Sequence, residues 1–130
     1  MFDYLPKFKP GQAFTRDASA AIVGGQLVGV SGSGTVAPTT ASQASWLGVA
    51  AFDVVSGDPV TVYAGGVQRL TASGTVTAGD LVVAAAAGQV ATVAAVTTPT
   101  AADVTSSRAI VGVALTTAAT ATLVEVSLLR

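Results

Sequence analysis

Asp53 and Asp58 are the closest approach to a catalytic carboxylate pair in this 130-residue chain. The stretch they bound runs into Ser56-Gly57-Asp58-Pro59, a turn by composition, where an aspartate ordinarily caps backbone amides rather than moving protons. Histidine and cysteine are both absent, which removes the usual general base and the thiol nucleophile. The only lysines, Lys7 and Lys9, lie in the first few residues, a poor setting for a buried base of lowered pKa. The run from Asp53 to Asp58 offers too few closely spaced oxygens for calcium. Ser31-Gly32-Ser33-Gly34 has the small residues of a phosphate loop, but no Gly-Lys-Ser/Thr follows, so it reads as a hairpin turn. The expectation is a protein that is not an enzyme, with no cofactor and no metal site.

A different chemistry is concentrated at the N-terminus. Residues 1–16 hold four of the seven aromatics (Phe2, Tyr4, Phe8 and Phe14) and three bases against one acid. Pro6 and Pro10 remove backbone donors and disfavour helix before them, so the segment is expected to be extended. Aromatic anchors flanked by cations on an extended strand suit docking on another protein. Packing on its own body and terminal fraying are the competing readings, and fraying fits poorly with so many aromatics. Phe2, Tyr4, Leu5, Lys7, Phe8, Lys9 and Phe14 are therefore the candidate residues of a docking arm spanning 1–19.

Charge is scarce in the remainder. Charged residues make up 10% of the chain, against about 25% in an ordinary soluble domain. A surface so poor in charge is expected to meet other protein, in an oligomer or a lattice. The net charge of −1 and a pI near 4.9 argue against nucleic acid as a partner. Mean hydropathy is positive, but the most apolar window, residues 81–96, is broken by Gly88, Gln89 and Thr92. It is also shorter than the roughly 20 residues of a spanning helix. Neither a membrane partner nor a signal peptide is expected.

The elements that would carry these residues read as strands, written twice. Gly25-Gln26-Leu27-Val28 and its turn return as Gly79-Asp80-Leu81-Val82, 54 positions later. Leu47-Gly48-Val49-Ala50 returns as Val111-Gly112-Val113-Ala114, 64 positions later, the offset widened by an insertion near Thr97–Ser106. That insertion is expected as a surface loop or a short helical turn. Pro59–Ala64 and Val67–Thr71, joined by Gly65-Gly66, carry the clearest local hairpin signal. All five prolines fall at proposed strand edges or loops. The fold class expected is all-β: a compact β-barrel or β-sandwich of two similar four-strand halves, about 20–72 and 73–130, behind the N-terminal arm. Trp46, alone of its type and opening a strand, is expected in the core or at a subunit interface.

Taken together, Gly25–Val28, Leu47–Ala50, Gly57-Asp58-Pro59-Val60-Thr61-Val62, Val67-Gln68-Arg69-Leu70, Ala78–Val82 and Ile110–Ala114 resemble the small capsid decoration, or head-stabilising, proteins of tailed phages. The resemblance covers roughly residues 20–129 and leaves the arm outside it. It implies a structural virion protein seated as a homotrimer at local three-fold sites on the capsid surface, bound to the major capsid protein and made in the bacterial host cytoplasm. The alternative kept beside it is a non-catalytic module that recognises carbohydrate or a host surface from a virion. That alternative needs exposed aromatics, and outside the arm only Trp46, Phe52 and Tyr63 are available.

Overall fold

A computed structural model of the chain describes residues 13–130. Ten strands form two five-stranded sheets, so the fold is all-β. Phe2, Tyr4, Leu5, Lys7, Phe8 and Lys9 lie outside the described residues.

The first sheet contains β1 (Phe14–Ala18), β2 (Leu27–Gly32), β3 (Thr35–Pro38), β4 (Trp46–Ala50) and β5 (Pro59–Tyr63). It closes into a barrel in the order β1-β3-β2-β4-β5, because β1 pairs antiparallel with β5 and parallel with β3. The second contains β6 (Val67–Thr71), β7 (Leu81–Ala84), β8 (Val90–Thr92), β9 (Ile110–Ala114) and β10 (Leu123–Leu128), in the order β6-β10-β9-β7-β8. A single parallel bridge, Ala72 to Val90, joins its outer strands where the barrel has the two pairs Asp17–Thr35 and Ala18–Val36.

Those bridges reveal that the two sheets are the same unit. The barrel interior is Ala18, Ile22, Val28, Val36, Ala50, Val60 and Val62. Moving the first four by 54 positions and the rest by 64 gives Ala72, Val76, Val82, Val90, Ala114, Val124 and Val126, all in the second core. Hydrogen bonds repeat with them. Gly25 N donates to Ala50 O at 2.8 Å and Gly79 N to Ala114 O at 2.7 Å. Ala18 N donates to Asp58 O, and Ala72 N to Thr122 O, both at 2.9 Å. Each unit also breaks register at the same point of its second strand, between Val28 and Gly29 and between Val82 and Val83. Such a bulge bends a strand, which a sheet curling into a barrel requires.

The repeated glycine of the Gly-Val-Ala motif has a steric cause. A Cβ on Gly48 would collide with the Tyr63 carbonyl, and one on Gly112 with the equivalent Ser127 carbonyl. Only glycine lets these neighbouring strands approach so closely.

Two expectations from the sequence need correcting. Each unit has five strands rather than four, because the extra one in the first, β1, lies inside the span assigned to the arm. In addition, Gly65-Gly66 does not close a hairpin. β5 pairs with β1 and β4, whereas β6 pairs with β10, so the glycines carry the chain from one sheet to the other. Both adopt left-handed φ values of +70° and +68°, as a tight reversal would, but each flanking strand has a longer-range partner in its own unit. A local turn signal contains nothing about that competition.

The insertion folds as α1 (Ala101–Arg108), which begins inside the span expected for it and runs two residues past its end. Its N-terminus is fixed by Asp103 Oδ2, which accepts from Thr100 N at 2.6 Å and from Thr100 Oγ1 at 2.9 Å. None of its residues is buried. Among the described residues no helix is long and apolar enough to cross a membrane.

Candidate functional site: a charge-poor surface and the seam beneath it

Of the two carboxylates with most chemical potential, Asp53 caps a backbone amide. Asp53 and Asp58 do line one open hollow, with Phe52, Val54, Val55 and Pro59. Yet Asp53 Oδ1 accepts from Gly24 N at 2.7 Å, and in the second unit Thr117 Oγ1 accepts from Ala78 N at 3.1 Å at the matching place. A hydroxyl that replaces the carboxylate at the same bond marks the position as a structural cap. Gln26 and Asp80 behave similarly, Oε1 accepting from Val23 N at 2.8 Å and Oδ2 from Thr77 N at 3.0 Å. No cluster of three or more metal-ligating side chains occurs among the described residues.

Trp46 is fully buried, at the seam between the two units. On β2 and β4, residues facing into the barrel alternate with residues facing out of it, except where the register shift at Leu47 puts Trp46 and Val49 on the same side. The outward Leu27, Trp46 and Val49 belong to the second unit's core cluster, so the seam is an extension of that core. Its polar margin is a loop of the second unit, residues 84–88, laid over the first. Thr39 Oγ1 donates to Ala85 O at 2.9 Å, Ser42 N to Ala84 O at 2.8 Å, and Gln26 Nε2 to Ala87 O at 3.0 Å. Gly88 sits at the closest approach, with φ +70°, where a Cβ would come within 2.6 Å of the Gln26 Cβ.

Arg130 clasps the seam from the C-terminus. Its guanidinium lies 4.4 Å from the centre of the Trp46 ring and donates to Ala44 O at 3.0 Å and Trp46 O at 2.7 Å. The sequence reading missed this residue, since nothing local distinguishes a terminal arginine from a solvated one. Trp46 Nε1 is buried and finds no acceptor among the described residues.

Of the expected arm residues only Phe14 is described. It is half-buried on β1, packs against the barrel core and pairs with Val62. The Arg16 guanidinium lies 5.3 Å from the centre of its ring. Phe14 thus packs on the β body in this structure. Phe52 and Tyr63 are about half exposed, at 48% and 47%. Scarcity of charge is matched by exposed apolar side chains, including Val23, Val30, Leu81, Leu115 and Leu123. Composition announced such a surface without locating it.

The described residues thus form two five-stranded β units with exposed apolar side chains on a charge-poor chain. Residues 8–128 match the family model described as phage cement protein, and the chain belongs to that family. No curated protein matches it. Among solved structures it is similar to the head fiber gp8.5 N base of bacteriophage phi29, with a TM-score of 0.64 at 18% identity, covering 90% of this chain and 92% of that one. At that identity the likeness is one of fold. The chain is a phage structural protein of a capsid-associated family.

Proposed function

We propose that this protein decorates the outer surface of a phage capsid and stabilises the shell, binding the major capsid protein as a homotrimer at local three-fold sites. The observation that carries the reading is the cement-family match along residues 8–128, nearly the whole chain. The similar phi29 structure is the base of a head fiber, which is in keeping with a shell-seated role. Low charge and exposed apolar side chains supply a surface suited to protein contacts.

In this reading the N-terminal residues Phe2, Tyr4, Leu5, Lys7, Phe8 and Lys9 grip the shell. Each aromatic so buried contributes on the order of 1.5–3 kcal/mol, and three-fold repetition multiplies modest contacts by avidity. The domain plan that follows is an attachment arm ahead of a β body. Assembly takes place in the host cytoplasm, and the finished protein resides on the virion.

The test is co-sedimentation with undecorated mature shells, comparing the full chain with a truncation lacking residues 1–12. That cut spares β1 and the barrel closure. Full-length protein is expected to pellet in multiples of three per shell facet while the truncation stays in solution. If both pellet, the body makes the contact and the arm reading is wrong. If neither pellets, decoration itself is wrong.

The exposed Phe52 and Tyr63 favour one second reading, recognition of a sugar or host surface. Glycan binding that is abolished by Phe52→Ala or Tyr63→Ala, without loss of shell binding, would establish it.

A further inference from the structure

The internal repeat shows what is missing from the second unit. In the first, the outer face of β2 is covered: Leu27 is 0% exposed and Thr39 is buried. Leu27 packs into the second unit's core cluster, and the loop 84–88 at its margin takes the Thr39 bond at Ala85 O and lies against the Leu27 carbonyl at Gly88, with Ala84 1% exposed. The positions equivalent to Leu27 and Thr39, 54 residues on, are Leu81 and Val93. Leu81 is 46% exposed and Val93 only half-buried. The loop equivalent to 84–88 is 30–34, and it too is bare, with Val30 46% exposed and residues 31–34 exposed. One chain therefore carries a used seat with a used plug, and an empty seat with an unused plug.

We propose that the turn 30–34 of one copy seats against Leu81 and Val93 of a second copy, reproducing between chains the contact that loop 84–88 makes within one. This rests on the self-associating reading above and specifies which faces meet. The vacant seat has room for the turn. Beside Val93 lies an open hollow walled by Val83, Val96 and the flank of α1 at Ser106. α1 buries none of its own residues and leaves Leu81 uncovered. The turn Val30-Ser31-Gly32-Ser33-Gly34 carries no charge to desolvate. Because plug and seat are unlike surfaces, the contact is head-to-tail, and such contacts propagate until they close into a ring.

The chain has no cysteine, so single cysteines report the geometry directly. Full-length Ser31→Cys and Val93→Cys are prepared separately, mixed, and treated with a short bis-maleimide, both free in solution and bound to shells. Covalent dimers are expected from the mixture and from neither variant alone. Dimers from Ser31→Cys alone, or no 31–93 link in either setting, would overturn the proposal. A missing link on well-decorated shells leaves the cement function standing. A link in solution with no shell binding does the reverse.

Leu81→Glu supplies a second readout, with folding checked by near-ultraviolet circular dichroism. Self-association should weaken on the order of tenfold or more, the effect of placing an unpaired charge in an apolar contact. A folded Leu81→Glu protein that self-associates normally but no longer binds shells would assign this face to the capsid protein, against the proposal.

Discussion

Arg130 and Trp46 combine a cation–π contact with two hydrogen bonds, and the energetics of the arrangement can be separated by substitution. Arg130→Ala removes a cation–π contact and two hydrogen bonds to carbonyls, one of them partly shielded from water. Since the arginine is itself exposed, the expected loss is about 1–2 kcal/mol. A lower urea midpoint at unchanged slope would register it. Trp46 presents the opposite case, a buried N–H without an acceptor among the described residues. Leaving such a donor unpaired costs about 1–3 kcal/mol, which Trp46→Phe would relieve while giving up part of the ring's packing. Trp46→Phe is therefore expected to be mild, under about 1.5 kcal/mol, whereas Trp46→Ala should cost about 3–5 kcal/mol. Equal losses from the two would mean that the indole nitrogen is satisfied. The expectation for Trp46 rested on size and hydrophobicity, and the side chain is 0% exposed in the second unit's core cluster. Its partner was illegible because the pairing spans 84 residues of sequence.

Among the elements, the turns and close strand approaches offer an internal control, because each occurs twice. Gly57 has φ +95°, and its counterpart 64 positions on is Ala121 at φ +65°. Their amides make the same bond, Gly57 N to Ala18 O at 2.7 Å and Ala121 N to Ala72 O at 2.8 Å. An alanine held in the left-handed region is strained by about 1–2 kcal/mol, partly offset by the freedom glycine gains when unfolded. Ala121→Gly should stabilise by about 0.5–1 kcal/mol and Gly57→Ala should destabilise by a similar amount. Thermal midpoints moving the other way would refute the reading. Gly112→Ala should be far worse, roughly 3 kcal/mol, since the Ser127 carbonyl blocks the added methyl and the strand must shift. The glycines of the hairpins and the Gly-Val-Ala strands were readable because steric demands keep them in both units. β1 was not: Phe14, Thr15, Arg16 and Asp17 stand where β6 has Gln68, Arg69, Leu70 and Thr71, and only Ala18 and Ala72 agree. Both strands are partly exposed, so little constrains the residue types, and the repeat fades where the unit begins.

At the scale of the whole molecule, the question is whether two copies of a unit make one protein or two. The second unit's core cluster takes in Leu27, Trp46 and Val49 from the first, so separating the units would expose a buried tryptophan and a leucine together. Burial of side chains of that size is worth about 1.5–3 kcal/mol each, which is comparable to what a half of this length has in reserve. The loop 84–88 adds hydrogen bonds across the seam that neither unit can satisfy alone. Cooperative unfolding should therefore include both units. Trp46, the only tryptophan, lies at the seam and reports its opening by fluorescence, while far-ultraviolet circular dichroism reports the strands of both sheets. The two signals are expected to coincide along a urea titration, with one midpoint and one slope. A fluorescence transition that precedes loss of strand signal would mean that the units part before they unfold, and that the seam is a hinge. In that event plug and seat would separate within the chain as well. The contact proposed between copies would then lose its template, because only a seam stable inside the monomer argues that the same seam is stable between monomers.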